Sequence, residues 1–474
     1  SITQGQPAID IVITMHLSEL ADTSLTDGAP QLTIKARGGF QFGNTSADDP
    51  TVDPTLVEAG THDFVVNPTM VELTQTANVP DGQTVTGPNY SRSITVTAST
   101  APGQSLDGVV VEQDLPNDIM VTGIVPGANG TVTSITLQGG TVITEAGTIA
   151  STLAAGAYLS HYQVTYATLS GSVDTTVNFY VPEVDANGLP VLDGEQRVGR
   201  RRDATEPHGT AACTPTATRD VPPDGAVLTG SGDPVSFTVL PLVVYKEAQV
   251  TNDPGGNGAS PGDTVTYSLE VDISDYFAFG RNVLNQGSLV IVDQATDGQT
   301  LVPGSGVLSV TINGQQFDMA ITPTVVVNAD GSTTLTLDIA ETLRANGQAL
   351  AALVGDLAFD TAREGATTAV ISYQMTIEDR FSGGDPSQSA INEGDVIGND
   401  ATISGTVLVD RANIGGTATD DDSSTITIPT NQVDIVVLTV DGTDVTGDPS
   451  VELRPGDVVT FQISYDLVTG DYQQ

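Results

Sequence analysis

The sequence predicts an all-β protein that is divided into several domains. Valine, threonine and glycine are abundant and occur with 26 prolines, a composition typical of short strands joined by turns. Tryptophan is absent, and few stretches have helical periodicity. The length of 474 residues exceeds that of one ordinary sandwich, so we expect two to four domains.

A repeated pattern marks the start of each unit. Pro88, Pro261 and Pro455 each begin a turn that leads into a strand with alternating apolar residues. Each of these strands follows an earlier apolar strand, so the same order of two strands occurs three times along the chain.

A second pattern, rich in Thr and Asp, precedes the last strand of each unit. It occurs at residues 45–50, 229–234 and 417–422. The order of the two patterns divides the chain into the C-terminal part of a preceding repeat, two full repeats and the N-terminal part of a following repeat. The predicted bounds are residues 1–67, 68–240, 241–429 and 430–474.

One segment has helical spacing. Apolar residues recur at helix-like intervals within residues 339–353, although Gly347 weakens the pattern. Residues 145–156 form a weaker counterpart. We therefore expect a short helical insert between strands of the second full repeat.

The charge of the chain excludes several classes of partner. Acidic residues outnumber basic ones by 59 to 15, and the formal net charge is −44. Nucleic acid is not an expected partner, because phosphate neutralisation needs clustered Lys and Arg. No apolar run approaches the ~18 residues that a membrane span requires, so we expect no membrane insertion in this segment. The single cysteine, Cys213, is expected to be a buried and inert thiol.

Three stretches of the second full repeat resemble a known family. They are Pro261 to Tyr267, Val290 to Asp293 with the following Asp297, and Gly398 to Ile403. In this order they resemble the DUF11-type bacterial surface repeat, which is related to the isopeptide-forming domains of fimbrial and pilin backbones. The resemblance implies tandem immunoglobulin-like β-sandwiches at the cell surface or in extracellular fibres.

The resemblance also implies a covalent cross-link. Cross-linked members join a Lys on the first strand to an Asn or Asp on the last strand, with a nearby carboxyl group that assists. Only the middle repeat carries both residues, Lys246 and Asn399, with Asp293 or Glu378 as the candidate acid; the first full repeat carries Thr74 at the Lys position. The chemistry needs a neutral amine and a protonated carboxyl group, and burial favours both. The alternative is that Lys246 reaches solvent at a strand edge and Asn399 caps a turn.

Two oxygen-rich places are candidate calcium sites, because Ca²⁺ prefers carboxylate and carbonyl oxygens. The first place consists of Asp185, Asn187 and Asp193. It lacks the spacing to a bidentate Glu that an EF-hand requires. The second place, which precedes a final strand near a domain junction, consists of Asp420, Asp421 and Asp422. The alternative is that these residues only form turns.

We expect no enzymatic activity, because the four histidines are scattered and no catalytic motif surrounds them. The leading interpretation is a structural stalk or fibre segment of a large, secreted or cell-surface bacterial protein that supports adhesion. Its partners would be neighbouring repeats of the same polypeptide. The alternatives are an adhesin module that binds a glycan or host surface, with residues 276–279 as an aromatic platform or simply core, and a filament subunit that self-associates by strand exchange.

Overall fold

The computed structural model describes most of the chain. The described ranges are residues 32–41, 56–66, 71–100, 105–193, 235–254, 258–312, 314–348, 350–359, 367–383, 389–430, 432–447 and 451–466, with residues 12 and 14 and short pieces between residues 200 and 231. The prediction for Cys213 and the repeat pattern at residues 45–50 lie outside the described residues.

The all-β prediction is confirmed: among the described residues, strands form nearly all of the regular structure. In the first segment, β1 (Leu32–Gln41) pairs antiparallel with β2 (Leu56–Val66).

The described strands between residues 71 and 240 form a sandwich of two main sheets. The strands are β3 (Val71–Asn78), β4 (Gln83–Val85), β5 (Arg92–Thr100), β6 (Ser105–Asp114), β7 (Met120–Pro126), β8 (Gly130–Leu137), β9 (Val142–Ile143), β10 (Leu159–Ser170), β11 (Ser172–Tyr180), β12 (Leu192–Asp193), β13 (Arg200–Arg201), β14 (Pro215–Thr218), β15 (Asp220–Val221), β16 (Ala226–Val227), β17 (Gly230–Ser231) and β18 (Thr238–Leu240). One sheet has the order β3-β5-β11-β7 and the other β17-β14-β6-β10-β8-β9. Helix α1 (Ala146–Ala155) lies between β9 and β10. Strand β18 pairs in parallel with β4, so this unit ends beside its own beginning.

The described strands between residues 242 and 427 form a second sandwich. The strands are β19 (Leu242–Asn252), β20 (Thr264–Ile273), β21 (Ala278–Arg281), β22 (Leu289–Ala295), β23 (Gln299–Leu301), β24 (Val307–Ile312), β25 (Gln315–Ala320), β26 (Thr324–Val327), β27 (Thr333–Asp338), β28 (Ala351–Val354), β29 (Thr368–Ile377), β30 (Val396–Leu408) and β31 (Ile414–Thr427). The first sheet has the order β19-β20-β29-β24-β25, with β23 also paired to β29. The second has the order β26-β27-β22-β30-β21-β28, with β31 also paired to β30. Helix α2 (Ile339–Ala345) follows β27.

The inward faces of these strands follow from the two-residue period of a strand. In β29, the side chains of Ala369, Ile371, Tyr373, Met375 and Ile377 are buried, and the residues between them are partly exposed. Burial of the alternate apolar side chains between two sheets supplies the core of each unit.

The two strands at the start of each repeated pattern pair with each other in all three places. Strand β3 pairs with β5, β19 with β20, and in the last segment β32 (Gln432–Val440) with β34 (Val459–Asp466), all antiparallel. Strand β33 (Thr443–Asp444) pairs with the end of β32.

Three local predictions are corrected. The helix predicted over residues 339–353 ends at Ala345, because Gly347 adopts a positive φ of 80° and residues 351–354 form β28. Asp420 and its two neighbours do not precede the last strand but lie inside β31. Asn399 lies on β30, which is followed by β31, so it is not on the last strand of the unit.

Candidate functional site

A cluster of polar side chains lies between the two sheets of the second sandwich. Lys246 on β19 and Tyr373 on β29 belong to the first sheet, and Asp293 on β22 and Asn399 on β30 belong to the second. Each occupies an inward position of its strand, so four polar residues replace apolar ones at the centre of the core. The side chains of Lys246 and Asp293 have no solvent-exposed surface.

Hydrogen bonds connect the four side chains directly. Lys246 Nζ donates to Asp293 Oδ2 and, at 3.3 Å, to the hydroxyl oxygen of Tyr373. Asn399 Nδ2 donates to the same hydroxyl at 2.7 Å. The Tyr373 hydroxyl and the Asn399 amide also lie within hydrogen-bond reach of the Asp293 carboxyl group. One hydroxyl therefore contacts the amine, the amide and the acid.

Two buried oxygens of the cluster have no hydrogen-bond partner, and they are Asp293 Oδ1 and Asn399 Oδ1. An orphaned buried acceptor costs about 1–3 kcal/mol. A proton on Asp293 Oδ1 would turn that atom into a donor, and the amide oxygen is an acceptor that needs one. The two unsatisfied atoms thus favour the protonated carboxylic acid.

The surroundings favour neutral forms of the charged pair. Burial lowers the pKa of the Lys246 ammonium, although the neighbouring Asp293 opposes this shift. Burial raises the pKa of Asp293, and here Lys246 opposes the shift. In both residues desolvation exceeds the mutual attraction, so burial moves both pKa values in the direction of the neutral forms.

Two stacked aromatic rings line the amine. The rings of Tyr267 on β20 and Tyr373 lie 5.5 Å apart, and Lys246 Nζ lies 5.0 and 5.6 Å from their centroids. The Tyr267 hydroxyl donates to Gln299 Oε1 at 2.6 Å. The two rings exclude water from the amine and hold the amine inside the sandwich.

The structure separates the two candidate acids. Asp293 contacts Lys246, whereas Glu378 follows Ile377 at the end of β29, points outward and accepts a hydrogen bond from the Thr300 hydroxyl. The alternative in which Lys246 reaches solvent is contradicted, because its amine is enclosed. The alternative in which Asn399 caps a turn is contradicted as well, because Asn399 is fully buried inside β30.

The first sandwich carries a neutral counterpart of the cluster. Gln75 on β3 and Gln113 on β6 occupy the corresponding inward places, and Gln113 Nε2 donates to Gln75 Oε1 at 2.9 Å. Tyr162 donates to Gln113 Oε1 at 3.0 Å. Thr74, the residue predicted to correspond to Lys246, is exposed instead. Two amides hold the sheets together in this unit, where the second unit has an amine, an acid and an amide.

The predicted calcium ligands have other roles in the described structure. Asp185 is buried, and its Oδ1 accepts hydrogen bonds from the backbone N–H groups of Asn187 and Leu189 at 2.8 and 2.9 Å, which closes a turn. Asp193 lies on β12, and its side chain is outside the described residues. Among the described residues, no group of three or more His, Cys, Asp or Glu side chains could hold a metal ion. Calcium binding stays a prediction.

The second set of predicted ligands connects the two sheets. Asp420 Oδ2 accepts a hydrogen bond from the Val244 N–H at 3.0 Å, and Asp422 Oδ2 accepts one from the Lys246 N–H at 2.6 Å. These carboxylates on β31 bind the free edge of β19, so they close one side of the sandwich without a backbone ladder. The structure places Asp421, between them, on the opposite face of β31.

The two sandwiches meet at a tight junction beside the cluster. Tyr90 of the first unit donates to the carbonyl oxygens of Ile273 and Thr367 at 2.6 and 2.8 Å. Asp275, which is fully buried, accepts from the backbone and the side chain of Asn89 at 3.0 and 2.9 Å. Apolar side chains complete the contact: Val85, Tyr90, Val243 and Tyr245.

The aromatic stretch at residues 276–279 contributes to the core. Phe277 and Phe279 are buried, so they are not an exposed platform for a sugar. The terminal hairpin β32–β34 instead exposes apolar side chains, among them Ile435, Phe461 and Ile463. Glycan binding and strand exchange stay predictions.

No family model matches the chain, and no curated protein matches it in sequence. Solved structures that match include the MSCRAMM ACE of Enterococcus faecalis, which binds its ligands by the collagen hug model, with 11% identity over 76% of this chain and 96% of that chain and a TM-score of 0.22. The major pilin subunit BcpA of Bacillus cereus matches with 13% identity over 83% and 87% and a TM-score of 0.24. AvmM, which catalyses macrocyclization in alchivemycin A biosynthesis, matches with 10% identity over 40% and 91% and a TM-score of 0.20. An adhesin, a pilin and an enzyme are all similar at this level, so these similarities select no function. No helix among the described residues is long and apolar enough to cross a membrane.

Proposed function

We propose that the second sandwich forms an intramolecular amide bond between Lys246 Nζ and Asn399 Cγ, and that the chain is a structural stalk or fibre segment of a bacterial surface protein. The observation that carries this proposal is the enclosed cluster, in which amine, amide and acid are brought together from opposite sheets. The reaction releases one ammonia and needs no cofactor.

The surroundings supply what the condensation requires. The nucleophile must be a neutral amine, and burial favours that form of Lys246. The amide carbonyl must be polarised, and a protonated Asp293 can donate to the orphaned Asn399 Oδ1. The closed core excludes water, which would otherwise compete for the amide and solvate the amine.

The position of the bond supports a mechanical role. It would connect the strand that enters the second unit, β19, to a central strand of the opposite sheet. About 150 residues lie between Lys246 and Asn399. Tension along the chain would pass through the bond and bypass this segment.

Two measurements test the proposal. Intact-mass spectrometry of the purified chain should show a mass below that of the sequence by one ammonia, and Asn399→Ala should abolish this difference. Single-molecule stretching should then release only about 35 residues of the unit, or about 120 Å at full extension, whereas the Asn399→Ala unit should add about 500 Å to this length. A wild-type chain whose mass equals that of its sequence refutes the bond. A mass lower by one ammonia together with full extension of the unit refutes the mechanical role alone.

A further inference from the structure

The Tyr373 hydroxyl lies beside both reacting groups of the proposed condensation, although neither the attack nor the polarisation of the carbonyl requires it. Its oxygen lies 3.3 Å from Lys246 Nζ and 2.7 Å from Asn399 Nδ2, so it contacts both nitrogens of the reaction. We propose that Tyr373 is a catalytic residue that passes a proton from the attacking nitrogen to the leaving nitrogen. This inference rests on the proposed Lys246–Asn399 bond.

A proton must travel between these two nitrogens for the reaction to finish. Lys246 begins as NH2 and ends as the NH of an amide, so it loses one proton. Asn399 Nδ2 begins as NH2 and leaves as NH3, so it gains one. Asp293 contacts the amine, but its carboxyl group is occupied with the carbonyl oxygen of the amide during the attack.

The lone pair of Lys246 Nζ attacks Asn399 Cγ, and the carbonyl electron pair moves to Oδ1, which takes the proton of Asp293. Tyr373 then accepts a proton from Nζ and gives its own proton to Nδ2. The bond between Cγ and Nδ2 breaks with its electron pair on nitrogen, ammonia leaves, the carbonyl forms again, and the Oδ1 proton returns to Asp293. Tyr373 and Asp293 end unchanged.

The order of events follows from the chemistry of the amide. In the folded, unreacted chain, Asn399 Nδ2 donates to the Tyr373 oxygen, because the lone pair of an amide nitrogen is delocalised. After the attack, Nδ2 is tetrahedral and carries a localised lone pair, so it becomes an acceptor for the same hydroxyl. Burial raises the pKa of Tyr373 well above its usual value, which keeps the proton on the hydroxyl until then.

Tyr267 provides a matched control within the same ring stack. Its hydroxyl gives its proton to Gln299 Oε1 and also lies within hydrogen-bond reach of the Asn399 amide, but Lys246 Nζ faces its ring and not its hydroxyl. Tyr267→Phe and Tyr373→Phe therefore remove the same atom from neighbouring stacked rings, but only Tyr373→Phe removes the atom that joins the two nitrogens.

The test is a time course of cell-free synthesis of the full chain, quenched in acidic denaturant and followed by intact mass. General acid–base catalysis contributes about 10²–10⁴-fold, so we expect Tyr373→Phe to lose ammonia at least about 100-fold more slowly than the wild type. Tyr267→Phe should differ far less. Ring-fluorinated tyrosine at position 373 keeps the size and the hydroxyl but makes the proton more acidic, so it should change the rate and its pH profile, which a packing role would not do.

Three outcomes would contradict the role of Tyr373. Loss of ammonia by Tyr373→Phe at the wild-type rate overturns the role of Tyr373 and leaves the proposed bond intact. If Tyr373→Phe does not melt cooperatively, the fluorinated chain decides, and an unchanged rate and pH profile overturns the inference. A wild-type chain that never loses ammonia overturns the bond and the relay together.

Discussion

Removal of the Asn399 side chain should lower the stability of the second unit by far more than one buried amide is worth. The proposed bond closes a loop of about 150 residues. The chain-entropy relation used for disulfides gives about 5 kcal/mol for a loop of this length. For a unit of this size, 1 kcal/mol corresponds to about 2–4 °C, so Asn399→Ala should lower the melting temperature by about 10–20 °C.

A buried amide without a cross-link provides the control for this prediction. Gln113 of the first unit is buried and hydrogen-bonded to Gln75 and Tyr162. Gln113→Ala should cost only about 1–3 kcal/mol, because it removes hydrogen bonds and leaves the chain topology unchanged.

Calorimetry and intact mass on the same samples provide the assay. We expect Asn399→Ala and Lys246→Met to melt at similar temperatures, and the double variant to lose little more than either, because each single change already removes the bond. Equal losses for Asn399→Ala and Gln113→Ala, together with additive losses in the double variant, would refute the reasoning.

Three further predictions concern pH, the junction and calcium. Burial raises the pKa of Asp272 to about 7 and that of Asp420 to about 6, above the ordinary 3.8, so the folded chain binds more protons than the unfolded chain between these values. The free energy of unfolding should therefore fall as the pH rises from 5 to 8, by on the order of 3 kcal/mol at constant salt; a melting temperature that rises over this range contradicts the assignment. Gly87 has a φ of 130°, and a Cβ there would lie 2.2 Å from Asp275 Oδ2, so Gly87→Ala should lower the melting temperature by several degrees. Gly82→Ala, at a φ of 67° with no atom within 4 Å, should cost less, and equal losses would show that contact with Asp275 is unimportant. Structural calcium would raise the melting temperature, so a chelator should lower it; an unchanged value contradicts calcium binding.

Much of the cluster follows from the two-residue period of the strands. Lys246 lies two and four positions from Val244 and Leu242, so alternation along the strand places its side chain inward with theirs. Asp293 lies two positions from both Ile291 and Ala295, so its side chain points inward as well. The same rule places Glu378 outward, since its neighbour Ile377 is inward. Alternation along the strands could therefore have identified Asp293, and not Glu378, as the buried acid from the sequence alone.

The contacts across the sandwich could not be predicted in this way. Alternation places Tyr373 in the core, but nothing in its local sequence indicates which strand of the other sheet it faces. That alignment depends on the packing of two whole sheets, which the local pattern does not encode. Asp420 is a similar case, because a run of Asp residues in the sequence is typical of a turn. Only the structure shows that Asp420 lies within a strand and binds the free edge of β19.

Strand β19 connects the junction to the proposed bond. Its inward face carries Lys246, and its opposite face carries Val243 and Tyr245, which pack against the first unit. The chain enters this strand directly from β18, so tension from the first unit reaches Lys246 within a few residues of the junction. A hydrogen-bonded strand at that place would be the first to detach, since among the described residues the carboxylates of β31 supply the hydrogen bonds to the backbone at its other edge. A covalent bond at Lys246 would secure the strand where it is most exposed to load, and this would explain in mechanical terms why Lys246 lies in the first half of β19.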